Sequence, residues 1–408
     1  MRRFCAVFLF SALSLPAQTA WTQWGGPNRN FIVESAPLAD SWPAAGPKLL
    51  WKRPLGEGYS SLLIENGVLY TMYGATGSEV VLAADAQTGK TLWEHSTPIT
   101  FRTDAPEMGN GPFATGLLTR ERLITAGATG RLQCLDKKSG KVIWTKLLYT
   151  ELNGTRLVYG YASSPIAYRD LVIVPAGGKG HALIALRVAD GSIAWQSLDF
   201  TNAYSSPVLV NVDGLDQLVT LMDGYVFSVN PLNGDLQWQI PHQADYGLNV
   251  STPLWLPGKR LFVSAEYNAG SRMIALRREG NRVLASQSWD SNKLRLHHGN
   301  AIPAGGNLYF SSGGKGSVAV LTTVEIESGK IINQNRTFSK ASFVKAGDKI
   351  IVIDQDGDVA LAKPGPQGLD VISRVSLLTS NAWTPPTLAG SRLYLRDRNQ
   401  MMALELAK

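Results

Sequence analysis

One block recurs along this chain, and it narrows the possible folds more than any other feature. Its fullest copy runs Ala83-Ala84-Asp85-Ala86-Gln87-Thr88-Gly89-Lys90-Thr91-Leu92-Trp93. Further copies run from Cys134 to Trp144 through Ser139-Gly140, from Ala185 to Trp195 through Asp190-Gly191, and from Ser228 to Trp238 through Asn233-Gly234. Their tryptophans fall 51, 51 and 43 residues apart. A self-similar unit of this length marks a repeat architecture.

The surroundings of each copy say which one. An apolar run comes first (Leu123-Ile124, Leu171 to Val174, Leu218 to Leu221), then a short polar turn, then alternation such as Leu132, Cys134 or Val226, Ser228. The Gly-containing turn follows, and a second alternating run ends on the Trp. Period-two alternation broken by glycine turns is a hairpin meander, not a helix. Four short strands per unit fit a propeller blade. The expectation is an all-β, eight-bladed β-propeller of four-stranded antiparallel blades. Eight inner-strand starts support the count, near Tyr59, Phe113, Tyr161, Tyr204, Asn249, Asn300, Ala341 and Trp383. The last three blocks are eroded around Gly280, Gly329 and Gly365, so seven blades stand as the alternative. The chain reaches Leu406 with an outer strand still owed, and Lys48 to Pro54 has that strand's character. The N-terminal strand is therefore expected to close the last blade, which leaves no open ring edge.

Trp51, Trp93, Trp144, Trp195 and Trp238, with the turn glycines Gly89, Gly140, Gly191, Gly234 and Gly329, form the expected blade-docking set. Burying an indole removes roughly 150–250 Å² from water, a gross gain of at most about 4–6 kcal/mol per latch.

Within 408 residues, the ring would occupy 48–408, preceded by an irregular Trp/Gly/Pro-rich arm over 21–47 and a secretory signal over 1–20. Met1-Arg2-Arg3, an apolar run from Phe4 to Leu15 and small residues up to Ala20 give the leader its basic, apolar and cleavable parts. That run is too short to span a bilayer. Cys5 sits too early for a lipid-anchor cysteine, so an exported, unanchored, periplasmic or secreted protein is expected. Trp21, Trp24 and Trp42 argue that the arm packs on the ring. The formal charge is +7, or +5 without Arg2 and Arg3. No basic stripe with interleaved aromatics accompanies it, which excludes a nucleic-acid reader. Cys134 takes the block's Ala position and reads as a small buried strand residue.

The pattern Ala-x-Asp-x-x-Thr-Gly-x-x-x-Trp, complete at Ala83–Trp93, resembles the repeat of the PQQ-like (quinoprotein-type) β-propellers. The Trp-x-Gln-Trp-x-Gly-Pro-x-Arg arm at Trp21–Arg29 looks like the leader segment common in their secreted bacterial members. The resemblance implies the ring but not its chemistry, since one fold serves dehydrogenases and scaffolds alike. It is also similar to the propeller subunit of the outer-membrane β-barrel assembly machinery, which is normally a lipoprotein.

Few motifs promise chemistry. Asp354-Gln355-Asp356-Gly357-Asp358 imitates a calcium loop, yet Pro366 and Gln367 stand where a closing Glu belongs. Asp356-Gly357 instead aligns with Asp223-Gly224 and Thr129-Gly130, which makes it a hairpin turn. Gly89-Lys90-Thr91 lacks the spacing and helix of a phosphate loop. Gly177-Gly178-Lys179-Gly180 and Gly313-Gly314-Lys315-Gly316 read as turns. His297-His298, after Arg295, is the only histidine pair. It precedes an inner strand, so Arg295, His297 and His298, with Tyr59, Tyr161 and Tyr204, are the candidate channel-mouth residues. No catalytic or metal-ligating residue is assigned. No paired cysteines, haem-attachment motif or nucleophile elbow occurs. The expected function is a non-enzymatic, monomeric scaffold that binds another envelope protein without a cofactor. The alternatives are a PQQ- and Ca-dependent alcohol or sugar dehydrogenase and a carbohydrate-binding propeller.

Overall fold

Single hydrogen bonds explain why the block recurs. Asp85 closes one strand, and its Oδ1 accepts from the backbone N–H of Gln87 (3.0 Å), that of Thr88 (2.8 Å) and the Thr88 hydroxyl (2.8 Å). Asp136 holds Lys138 and Ser139 in the same way. The glycine that follows has φ +70° at Gly89 and +69° at Gly140, a left-handed conformation that strains other residues. One residue is then bulged out of the ladder, because Trp93 pairs with Ala83 while Thr91 pairs with Ala84. Such a bulge re-aims the next side chain. Trp93 is thereby laid over Gly140 of the next blade, where an added Cβ would come within 2.4 Å of its ring.

The computed structural model describes residues 20–33, 37–313, 318–365, 367–379 and 381–407. The expected leader up to Thr19, Gly314-Lys315-Gly316 and Pro366 lie outside these. Eight sheets form, seven of four strands and one of five. Blades 1 to 7 span 63–98, 117–147, 166–197, 208–241, 254–291, 302–335 and 341–376. Blade 8 combines 387–405 with the strand Lys48–Pro54. Leu49 pairs with Leu404 and Trp51 with Ala403, so the chain's two ends share one sheet. The eight-bladed expectation stands, and seven is excluded. Blade 6 kept the block's turn, with Ser328 and Gly329 bonded to Glu325, whereas blades 5 and 7 replaced it with tight hairpins in which Glu279 pairs with Arg282 and Gly365 with Gly368.

Two local expectations are corrected. The fourth strand does not end on the Trp, because Trp93 is the third residue of Thr91–Pro98 and Trp144 the third of Val142–Leu147. The alternation past the Trp is polar and half exposed, which hid it. The inner strands also begin later, at Leu63, Leu117 and Ile166 for the first three blades. The Ser/Thr pairs before them bond sideways to the neighbouring blade instead. Ser61 N donates to Thr115 Oγ1 (3.0 Å), Thr115 N to Ser164 Oγ (3.0 Å), and Ser164 N to Ser206 Oγ (2.9 Å). These short side chains satisfy buried backbone groups around the channel.

Five latches join blades. Trp51, Trp93, Trp144, Trp195 and Trp289 lie on Gly89, Gly140, Gly191, Gly234 and Gly329. Their indole N–H groups donate to Ala86, Lys137, Val188, Pro231 and Ile326 carbonyls at 2.9–3.2 Å. Trp238 is buried, but its N–H has no partner. The facing turn at Gly280 joins two long strands without an Asp-x-x-Thr-Gly cradle.

Residues 20–33 thread the channel. Trp21 exchanges backbone bonds with Ile64 of blade 1 (2.8 and 2.9 Å), and Thr22 O accepts from Leu118 of blade 2 (2.8 Å). The Arg29 guanidinium donates to Ser164 O and Pro165 O of blade 3 (3.1 and 3.0 Å). Ile32–Val33 adds a parallel strand to Ala341–Ala346 of blade 7, which is why that sheet has five strands. Among the described residues no helix is long and apolar enough to cross a membrane.

Candidate functional site

In every blade the turn between second and third strands and the crossing to the next blade open on one face, the upper face. A cavity of about 320 Å³ opens there on the ring axis, with Trp24 of the arm as its floor. The period-two rule decides which residues reach it. Tyr59, Ala162, Tyr204, Val250 and Trp383 each stand one position before a Ser or Thr, Phe113 stands in the same register before Ala114, and all six line the cavity. One position earlier points the other way. Tyr161 is fully buried inside its blade, its hydroxyl donating to Pro175 O at 2.9 Å. Burial pushes its phenol well above the usual range.

The wall is a belt of flat rings. Phe113 stacks on Tyr59 at 6.0 Å between centroids, and Tyr59 on Trp383 at 5.2 Å. Trp383 meets His298 at 4.8 Å, His298 meets His297 at 4.8 Å, and His297 meets Tyr267 edge-on at 5.3 Å. Tyr159 and Tyr204 continue the belt at 6.0 Å. The structure thus brings Tyr59, Tyr204, His297 and His298 to one mouth. Arg295 borders a neighbouring groove with Glu266 and Lys293.

The belt's polar atoms are mostly engaged by the ring itself. Tyr59 OH donates to Met108 O (2.8 Å), Trp383 Nε1 to Gln355 Oε1 (3.3 Å) and Trp24 Nε1 to Thr252 Oγ1 (2.9 Å). Tyr204 OH accepts from Tyr159 N (3.3 Å), and Tyr267 OH lies 3.3 Å from His297 Nε2. What faces the cavity is therefore mainly π surface. Burial pushes the Tyr59 and Tyr204 phenols up to about 12. Burial, with Lys340 nearby, lowers His297 to about 3 and His298 well below its usual value. Both imidazoles are neutral at physiological pH. Lys340 Nζ sits 3.3 Å from His298 Nε2 and 5.9 Å from the Trp383 ring centre. Burial lowers its pKa, against an upward pull from Glu266.

Sequence reasoning missed Trp24, Phe113, Tyr159, Tyr267, Lys340 and Trp383 as lining residues. For Phe113 and Trp383 a signal existed, because both precede the same Ser/Thr/Ala register as Tyr59. Trp289 was also legible as a latch, since it falls 51 residues after Trp238. Tyr159, Tyr267 and Lys340 come from upper loops, where no periodicity reports direction. Cys134 is fully buried in blade 2, and burial raises its thiol to about 11.

Comparisons place this geometry among known proteins. A protein of Rickettsia prowazekii described as uncharacterized is 26% identical over 61% of this chain, and the match spans only 58% of that relative. The outer membrane protein assembly factor BamB of Shewanella oneidensis is 22% identical over 99% of both chains. Among solved structures, BamB from Moraxella catarrhalis superposes with a TM-score of 0.63 at 16% identity, covering 88% of this chain and 99% of that one. Quinohemoprotein alcohol dehydrogenase from Comamonas testosteroni gives 0.67 at 10% identity, covering 96% and 81%. These two likenesses show the fold alone. The family described as "Outer membrane protein assembly factor BamB" matches residues 77–335, more than half of the sequence, and the chain belongs to that family.

Proposed function

We propose that this protein is an exported, non-enzymatic scaffold, working as a single ring, that docks another envelope protein on its upper face. The observation that carries the reading is the mouth itself, an apolar funnel walled from all around the ring whose polar atoms are mostly already paired. Two large apolar side chains stand beside it in the open, Tyr246 at 89% and Val158 at 62% exposure. Exposed apolar surface rimming a preformed concavity is characteristic of protein docking sites. The relatives named as outer membrane assembly factors support the envelope setting, and the leader read in the sequence supports export.

The dehydrogenase reading rests on the shared ring, and the side chains test it. A calcium–quinone pair wants several oxygen donors around one point. The wall supplies ring faces, two histidines, a lysine, the single carboxylate of Glu107 and three hydroxyls, and those of Ser164, Ser206 and Thr252 already accept from Thr115 N, Ser164 N and Trp24 Nε1. Among the described residues no three His, Cys, Asp or Glu side chains gather to hold a metal. The ammonium of Lys340 would also repel a cation. These residues do not fit the pair, and no step is derived through it. A saccharide is disfavoured for a different reason, because its hydroxyls would find few free partners in the funnel.

The test is capture from an envelope extract by the tagged full chain, with Tyr246→Asp plus Val158→Asp as the comparison. Capture should fall about tenfold or more at unchanged melting temperature, as loss of a central apolar patch commonly does. Capture indifferent to both substitutions, or dye-linked alcohol oxidation on adding PQQ and Ca²⁺, would contradict the reading.

A further inference from the structure

We propose that the funnel seats one aromatic side chain of the docked polypeptide with a carboxylate beside it, the ring held in the belt and the carboxylate at Lys340. This rests on the scaffold reading and names the chemistry by which the mouth would recognise its partner.

The belt argues for a flat apolar ring. Its surfaces are stacked or tilted π faces 4.8 to 6.0 Å apart around an open axis. Aromatic pairs prefer such offset and edge-on geometries, with a gain beyond simple area burial. A cavity of about 320 Å³ lies at the small end of ligand sites, suited to one side chain and its flank. Trp24 closes the floor, so the occupant enters from the upper face.

Lys340 argues for the carboxylate. Its ammonium touches a neutral imidazole and a ring face, neither of which carries a countercharge. Among the described residues no Asp or Glu forms an ion pair with it; Glu266 pulls its pKa upward without pairing, and Glu107, the carboxylate that shares the cavity lining, does not shift it. A charge left so in a half-dry site gains most from an anion delivered by a ligand. The same ammonium disfavours a cationic partner, although an aromatic cage without it would suit one.

Calorimetric titration of the full chain with N-acetyl-L-phenylalanine, its amide and cellobiose tests the assignment. The acid should bind about tenfold more tightly than the amide, as a charge-assisted contact supplies, and cellobiose should give no heat. Lys340→Met should bring the acid down to the level of the amide. Should that variant melt early, Ala162→Trp fills the cavity from blade 3 and should abolish both. Equal affinity for acid and amide, preference for cellobiose, or no binding of either amino-acid probe overturns the proposal. A chain that ignores the probes yet captures a partner sensitive to Tyr246 sinks the anchor and leaves the scaffold standing. Probe discrimination without any capture supports the anchor chemistry and sinks docking.

Discussion

At the scale of single residues, the turn glycines are fixed by two separate demands that can be measured apart. Gly67 has φ +77° but open space around a Cβ, whereas Gly140 has φ +69° and the Trp93 ring in the way. Gly67→Ala should cost about 1 kcal/mol from backbone strain alone. Gly140→Ala should cost about 2–4 kcal/mol, since it adds overpacking at a latch. Urea unfolding of the two variants checks the ordering. A second residue-level effect is titration. His242 is fully buried, with neither ring nitrogen hydrogen-bonded, and burial, with Arg272 adding to it, lowers its pKa from 6.5 to about 3. The unfolded chain therefore binds this proton first. The stability that depends on a neutral His242 is complete above about pH 6.5 and is lost as pH falls toward 3, by about 1.4 kcal/mol per unit. His242→Leu should shrink the difference in unfolding free energy between pH 7 and about pH 5 by about 2 kcal/mol. An unchanged difference would mean that the imidazole is solvated.

At the scale of elements, the arm is a structural member of the ring. Arg29 is buried against Ser164 O and Pro165 O, with burial lowering its pKa to about 9, so its charge is held by carbonyl dipoles rather than a carboxylate. Arg29→Ala should lower stability by about 2–4 kcal/mol through two lost charge-assisted bonds, read by chemical denaturation. A loss under about 0.5 kcal/mol would show the arm to be ornamental. How far the elements could be read in advance depended on whether a residue obeyed a period. The strands, the glycine turns and the closing strand around Trp51 were legible because alternation and block spacing act locally. The path of 20–33 through the channel was not, because Gly25, Gly26 and Pro27 carry no periodicity and its bonds reach residues as distant as Thr252 and Lys345. Tyr161 shows the limit even within a period. It was the conspicuous aromatic, but Ala162 holds the register position that faces the axis.

At the scale of the whole molecule, the ring presents two unlike faces. The lower face carries the short block turns, whose Asp, Ser and Thr side chains fold back on their own backbone. The upper face carries the longer crossings and the aromatic mouth with its exposed rim. Ring closure by Lys48–Pro54 and the plug by 20–33 hold the mouth's shape without any partner, so docking needs little reordering of the scaffold. The central claim is that the upper mouth is where another protein sits. Photocrosslinking tests it most directly, with a benzophenone amino acid placed in the full chain at Tyr246 on the upper rim or at Leu232 in a lower block turn, in living cells. The account predicts a discrete protein adduct from position 246, weakened by Ala162→Trp, and none from 232. Adducts only from 232, or equal adducts from both, would contradict it.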